Sequence, residues 1–584
     1  MCGIVGKYFI NKELYNSRDL QAMIRAIEHR GPDDKGEYYD ERVALGFTRL
    51  SIIDTFSGHQ PLFNEDNSIM AIVNGEIYNF KDLRQTLNTK GHKFKTKSDC
   101  EVIIHLYEEY GDHFIEKLNG MFAFCLYDIK KEKLLIARDR VGIKPLYFYK
   151  DEKVLVFSSE IKGVIASDNV QCCKREDVLD EYICFRYLSN GRTFFSKINA
   201  LEPGTCIKVE GNEINFLRFW NQERTYILED DTSIIQKIEE TLNDSVQRQM
   251  VSDVPIGSLL SGGVDSSWVS TIAGKYLQNI DTFTVAFKER EYSESKYAQS
   301  LAAKFRFHYH ELEVDNKESA ELLPKAIWIH DEPLAHANSL QIHLICKYAS
   351  EHVKVLLTGE GADELFGGYP RYYICKLGSF FLQQNAYTQG ILQKILQAIP
   401  ERKTKKLQSF LGKSDKELVL WNAEFIRLKM LSGLFDHDEP DISQRIQLLE
   451  RSWDYDLDLM DNLLIFEQKT YLQAILHRQD KMSMGASIES RVPILDNQLF
   501  ALANAIPAKM KIKYFQPKHL FKKSAAKHIT NDIVYKKKVG FGVPMGPWLR
   551  DKNGMGRYLE LLNDCADSIE GIKKEKLHDI IKYH

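Results

Sequence analysis

Residues 255–268 place the tightest constraint on the fold of this chain. The apolar run Pro255-Ile-Gly-Ser-Leu-Leu260 enters Ser261-Gly-Gly-Val-Asp-Ser-Ser267, and a helical pattern follows from Trp268. A strand, a glycine-rich turn and a helix in that order open a β-α-β unit, and this demands a parallel sheet with helices on its faces. Gly262 and Gly263 let the backbone approach a ligand closely, while N–H groups at a helix start attract an anion. Ser261, Ser266 and Ser267 add hydroxyl donors. Asp265 adds a carboxylate, which beside phosphates reads as a Mg²⁺ ligand. The spacing is neither the Walker A loop nor G-x-G-x-x-G.

A second acidic turn supports this reading. Val353-Lys-Val-Leu-Leu357 is a short apolar strand that ends in Thr358-Gly-Glu-Gly-Ala-Asp-Glu364. Carboxylates just past a strand's carboxyl end lie where open α/β sheets bind ligands, so Asp363 is expected to share a magnesium with Asp265. With these surroundings the 261–267 loop resembles the pyrophosphate-binding loop of ATP pyrophosphatases. That resemblance implies ATP as a substrate, split to AMP and pyrophosphate.

The front of the chain has another grammar. Short strands such as Val43–Phe47, Ile69–Val73, Phe122–Tyr127 and Leu134–Ala137 alternate with turns, and helical stretches such as Cys100–Tyr110 are few. Antiparallel sheets with limited helix cover are predicted. One of the ten cysteines, Cys2, directly follows the first Met. Trimming of that Met would leave an α-amine with a pKa of about 7.7–8.0, able to act as general base for its own thiol.

The segments around it decide its meaning. Cys2-Gly-Ile-Val-Gly6, His29-Arg-Gly-Pro-Asp33, Arg49-Leu-Ser-Ile-Ile-Asp54, Asn74-Gly-Glu-Ile-Tyr-Asn79, Ser98-Asp-Cys-Glu101 and Asn119-Gly-Met-Phe-Ala-Phe124 occur in that order. Together they resemble the glutaminase domain of class II amidotransferases. The resemblance implies Cys2 as nucleophile and Asn74 with Gly75 as oxyanion hole. It implies Arg49, Glu76 and Asp99 as the residues that hold the α-carboxylate and α-ammonium of glutamine.

Joined, the two halves resemble the glutamine-dependent asparagine synthetase family over roughly residues 2 to 550. Arg478-Gln-Asp-Lys-Met-Ser-Met484, Glu489-Ser-Arg-Val-Pro-Ile-Leu-Asp496 and Lys536-Lys-Lys-Val-Gly-Phe541 extend the likeness. The family implies ammonia made at Cys2 and consumed at a second site, where ATP adenylates the side chain of aspartate. It assigns Leu259, Val285, Thr358 and Gly359 to the adenosine, Glu360 to adenylate formation and Lys538 to charge on the α-phosphate. Lys536 stands where the family usually has Arg, so a forked phosphate contact is in question there. A relative that amidates a different carboxylate, such as a sugar acid of surface polysaccharides, remains an alternative.

The expected architecture has two domains. Residues 2–210 form an Ntn-hydrolase αββα sandwich and 211–231 a linker. Residues 232–560 form a Rossmann-like parallel sheet of the adenine nucleotide alpha hydrolase type with a helical extension, and 561–584 a tail without assigned role. Composition agrees. With 78 Lys+Arg against 82 Asp+Glu the net charge of −4 gives no pull towards nucleic acid or lipid. No apolar stretch approaches the about 18 residues of a membrane span. A cytoplasmic enzyme of small molecules is expected, with a homodimer allowed. RNA-modifying users of the same ATP loop would need a basic face and often a cysteine pair, and no C-x-x-C is present.

Three features are read as structural. His308-Tyr-His310, with His330, His336 and His343, lacks an acidic or Cys partner at ligand spacing, so a half-buried strand is expected. Cys172-Cys173 is read as structural, and Lys403–Lys406 as a solvated basic turn.

Overall fold

The computed structural model describes residues 2–12, 16–221, 226–227, 229–382, 413–431, 433–435, 440–513, 516–537, 542–569 and 571–583. The front half contains twelve strands: β1 (Cys2–Phe9), β2 (Asp34–Tyr39), β3 (Val43–Arg49), β4 (Leu62–Phe63), β5 (Ile69–Ile77), β6 (Gly120–Asp128), β7 (Lys133–Arg138), β8 (Tyr147–Lys150), β9 (Val154–Ser158), β10 (Ile198–Ala200), β11 (Thr205–Glu210) and β12 (Glu213–Arg218). They form two six-stranded antiparallel sheets, ordered β10-β8-β9-β1-β3-β2 and β12-β11-β7-β6-β5-β4.

The layering follows from strands that are apolar on both faces. Along β1, Ile4 and Tyr8 pack between the sheets with Leu45, Ile72, Cys125 and Phe157. Val5 and Phe9 point the other way, onto Leu20, Met23 and Ile24 of the helix Ser17–Ala26. On the second sheet Val73, Phe122 and Phe124 lie under Val102, Ile103 and Leu106 of the helix Val102–Tyr110. A strand that alternates between two buried surfaces needs cover on both sides, and the result is the expected αββα sandwich. Strand β12 lies inside the 211–231 stretch read as a linker, paired antiparallel with β11 along its full length.

The second half is built on β13 (Ile256–Leu259), β14 (Asp281–Phe287), β15 (His308–Val314), β16 (Val355–Leu357) and β17 (Glu489–Arg491). All pair in parallel, in the order β15-β14-β13-β16-β17. The chain runs outward from β13 to β15, then returns to the other side of β13. The reversal falls between β13 and β16, so the loops after these two strands flank a topological switch point, where such sheets bind ligands. Helix Asp231–Gln249 packs Ile234, Ile238, Leu242 and Val246 into this core, as its four-residue periodicity predicts. Past Tyr372 the described residues are mostly helical. The 561–584 stretch includes the helix Lys574–Tyr583, and Ile572 bridges to Phe435.

Two readings need correction. Cys172 and Cys173 are exposed free thiols with no place in a core. His308 and His310 do meet an acid: Asp281 Oδ1 lies 2.7 Å from His308 Nδ1 and 2.7 Å from His310 Nε2. It comes from the adjacent parallel strand, where Asp281 pairs in register with His308. The Lys403–Lys406 turn lies outside the described residues.

Candidate active sites and their junction

Cys2 opens β1 opposite Arg49 of β3, and its backbone N–H donates to Asn74 Oδ1 at 3.3 Å. This contact spans the two sheets. Asn74 is fully buried, and its Nδ2 donates to Ser159 Oγ at 3.4 Å, which also accepts the Ile4 N–H at 3.0 Å. The amide is thereby oriented with its oxygen on the Cys2 backbone. Gly75 is required for a different reason. A Cβ there would sit 2.1 Å from the Met121 carbonyl oxygen and 2.6 Å from Phe122 Cα, backbone atoms of β6 that cannot give way. Burial pushes the Cys2 thiol up, so it needs a base to become a thiolate.

Around this pair the structure collects the three predicted glutamine contacts. Arg49 Nη2 donates to the carbonyls of Asp54 (2.6 Å) and Ile53 (3.2 Å), which fixes one arm of its fork. Asp99 Oδ2 accepts the Ile77 N–H at 2.7 Å, yet burial still pushes its carboxyl up to about 6. Glu76, held by burial and by the nearby Glu489 and Asp99 well above the usual carboxylate range, lies 3.4 Å from Arg491 Nη2. Two buried carboxyls with raised pKa values favour a cation arriving beside them.

The second site lies at the switch point. Gly263 caps the helix Val264–Tyr276, and Ser261 Oγ and Ser266 Oγ meet at 2.9 Å inside the turn. Gly262 has a φ of +72°, and a Cβ on it would lie 2.9 Å from the Glu294 carbonyl oxygen. Ser267 is buried within the first helical turn. Leu259 ends β13 and Val285 lies in β14, both half-buried at the carboxyl side of the sheet. Thr358, just past β16, donates its N–H to the Arg491 carbonyl oxygen. Gly359 abuts the turn itself: a Cβ there would be 2.5 Å from Ser266 N.

Asp265 and Asp363 converge as expected, and the residue between them is Lys518. Its ammonium lies 2.6 Å from Asp265 Oδ2 and 2.8 Å from Asp363 Oδ1. Burial works against this charge, but the two carboxylates hold its pKa above the ordinary lysine value. Two carboxylates that already share one cation are a donor set suited to a divalent ion. Sequence reading missed Lys518, because it belongs to no motif and lies 253 positions from Asp265. Glu360 Oε1 lies 3.5 Å from Arg478 Nη2, and Arg478 Nη1 donates to Asn338 Oδ1 at 3.0 Å. Lys536 contacts Glu294 Oε1 at 2.5 Å and lies over the Tyr297 ring. Lys538 lies outside the described residues.

Residues of both halves line a cavity of about 740 Å³ whose wall includes Tyr147, His330, Glu332, His336, His477 and Arg478. Tyr147 of the front half contacts His477 Nε2 at 2.6 Å, and His477 stacks on His330. Motif residues elsewhere knit the halves together. Buried Arg30 donates from Nε to the Cys2 carbonyl (3.2 Å), from Nη1 to Glu160 (2.8 Å) and from Nη2 to Asp480 (2.8 Å). Lys354 reaches Asp33 at 2.7 Å, and the Asp54 N–H donates to Asp253 Oδ2 at 2.7 Å.

Comparison with known proteins agrees with this geometry. Residues 237–584 match the asparagine synthase family and residues 1–220 the glutamine amidotransferase domain. A glutamine-hydrolysing asparagine synthetase of Bacillus subtilis (strain 168), numbered 1, is 33% identical over 612 aligned positions, covering 100% of this chain and 93% of that protein. Another from the same strain, numbered 3, is 28% identical, covering 97% and 91%. A putative glutamine-hydrolysing asparagine synthetase of Mycobacterium tuberculosis (strain ATCC 25618 / H37Rv) is 30% identical, covering 90% and 84%. With a parallel sheet carrying the phosphate turn and a sandwich carrying the cysteine, the chain belongs to the asparagine synthase family and has a glutamine amidotransferase domain at its front.

Proposed function

We propose that this protein makes asparagine from aspartate, ATP and glutamine. The observation that carries the reading is the pairing of Cys2 with Asn74 in one half and of the 261–267 turn with Asp363, through Lys518, in the other. In the first site, the α-amine of Cys2, exposed by loss of Met1, takes the thiol proton. The sulfur attacks the side-chain carbonyl of glutamine, while Asn74 Nδ2 and the Gly75 N–H stabilise the oxyanion. Arg49 receives the α-carboxylate, and Asp99 and Glu76 receive the α-ammonium. Ammonia leaves, and water releases glutamate from the enzyme.

In the second site, the 261–267 turn and Lys518 bind the phosphates, with Leu259, Val285, Thr358 and Gly359 along the nucleoside. Asp265 and Asp363 would hold Mg²⁺, which neutralises phosphate charge when bound. Glu360, set by Arg478, acts where the aspartate carboxylate meets the α-phosphate, and the family resemblance gives Lys538 the role of offsetting charge on that phosphate. Ammonia passing from the first site to the second then displaces AMP. An enclosed route matters because free ammonia in water near pH 7 is mostly ammonium, which is no nucleophile. Strand β12 carries the first domain past 210 to at least Arg218, and the second begins with the helix Asp231–Gln249. Ten free cysteines support a reducing, cytoplasmic setting.

The test is direct. Protein supplied with glutamine, MgATP and aspartate is expected to yield asparagine, AMP and pyrophosphate in equal amounts. Pyrophosphate release that ignores aspartate but responds to another carboxylate would overturn the acceptor assignment.

A further inference from the structure

On the outer face of the front domain's second sheet, three segments bring together Glu65, His92, His105 and Glu108. One ligand atom from each lies within 4.8 Å of every other. His105 is fully buried on the helix Val102–Tyr110, with Glu108 one turn on. His105 Nδ1 is 2.9 Å from Glu108 Oε2 and 3.8 Å from Glu65 Oε2, and His92 Nδ1 is 3.4 Å from the same Glu108 oxygen. A tetrahedral ion with bonds of about 2.0–2.1 Å would hold its ligands roughly 3.3–3.5 Å apart, within the range of these separations.

The outer nitrogen of His92 strengthens the argument. His92 Nε2 lies 3.0 Å from Glu109 Oε1, and His105 Nε2 lies 3.7 Å from Glu101 Oε1. At His92 the Glu109 carboxylate is placed to hold a proton on the far nitrogen and leave Nδ1 as a lone-pair donor, as in carboxylate–histidine–metal arrangements, whereas Glu101 is too far from His105 to do the same. Both Nδ1 atoms face the same Glu108 oxygen, at 2.9 and 3.4 Å, so an ion seated among them would take the place of the proton that His105 now shares with Glu108. Glu108 is held for this from behind, its Oε1 accepting from Asn64 Nδ2 at 2.9 Å.

We propose that Glu65, His92, His105 and Glu108 form a binding site for a divalent transition-metal ion of the zinc class. The ion joins the turn at 64–67, the loop at 90–95 and the helix whose leading turn, Asp99–Glu101, carries the glutamine-binding Asp99. Glu101 ties that turn to the same loop, accepting from the N–H groups of Lys95 (2.6 Å) and Thr96 (2.8 Å). The ion therefore acts as a clamp beside the glutaminase site and takes no part in its chemistry.

Cobalt(II) is the probe. Full-length protein stripped with chelator is expected to bind one Co²⁺ per chain at this site, with the intense visible bands of four-coordinate cobalt, and Zn²⁺ should displace it. His92→Ala and Glu65→Gln, both at accessible positions, should weaken binding by about 100-fold or more. Glu109→Gln, which touches no metal, should weaken it by roughly 10–100-fold. His310→Ala tests the other histidine cluster, Asp281-His308-His310, and should leave these bands unchanged. Absence of the bands, their survival in His92→Ala, or their loss in His310→Ala would overturn the proposal.

Discussion

Replacing Gly359 by alanine would place one methyl group against the phosphate turn from the opposite side of the switch point. The added carbon would lie 2.5 Å from Ser266 N and 2.8 Å from Asp265 C. Ordinary contact begins near 3.4 Å, so the two loops must part by about 0.9 Å (3.4 − 2.5). Neither neighbour is the end of a flexible side chain, so the displacement falls on the backbone that offers N–H groups to phosphate. Overpacking of this kind costs about 1–3 kcal/mol. Expressed wholly at the transition state, that is roughly a 5- to 150-fold loss of rate, matching the ~100-fold expected when reacting groups are misplaced by about 1 Å. The assay compares two activities of one preparation. Aspartate-dependent pyrophosphate release should fall by that factor, and glutamine hydrolysis at Cys2 should hold steady. Unchanged pyrophosphate release would refute the placement of Gly359 against a working phosphate turn.

Other perturbations separate the parts. Cys2→Ala should abolish asparagine formation from glutamine and spare formation from added ammonia; loss of both would contradict two sites. Asp99→Asn should raise KM for glutamine sharply while stabilising the unliganded protein at pH 7.5. The sign follows from a folded pKa of about 6 against an ordinary value of 3.8, so ionisation lowers stability as pH rises between them. The gain is about 3 kcal/mol in denaturant titrations at pH 7.5 and vanishes below pH 4. A pH-independent gain would refute it. Arg30→Met removes the cation that Glu160 and Asp480 share but leaves Lys162 on the first and Lys144 near the second, so it should cost about 3 kcal/mol, the low end for a broken buried pair, in the same titration. A loss under 1 kcal/mol would show that these charges do not depend on Arg30.

What could be read from the chain depended on distance along it. The 261–267 turn is legible because strand, glycines, hydroxyls and helix are contiguous, and Asp363 because it follows its own strand end. Cys2, Asn74 and Gly75 were reached through motif order, although the reason for Gly75, the closeness of β6, needs the sheet register. Lys518 and Ser159 were missed because each meets its partner only after the fold closes. The same blindness explains Asp281, whose pairing with His308 is a property of adjacent strands and invisible to periodicity within one. Strand β12 reads as linker because five of its six residues lie exposed at a sheet edge, where burial does not select an unbroken apolar run.

Arg30 and Arg491 bear on how the enzyme is assembled as a mechanical object. Each begins in the signature of one domain and ends on an acid in the signature of the other: Arg30 on Asp480, Arg491 on Glu76. The Lys354–Asp33 and Asp253–Asp54 contacts add further attachment points. Several pins of this kind act like a kinematic mount, setting how one body sits on the other without reliance on the connecting peptide. The span between thiol and α-phosphate is then a machined dimension of the fold. Residues that look like catalytic markers in the sequence are also pins between the two domains.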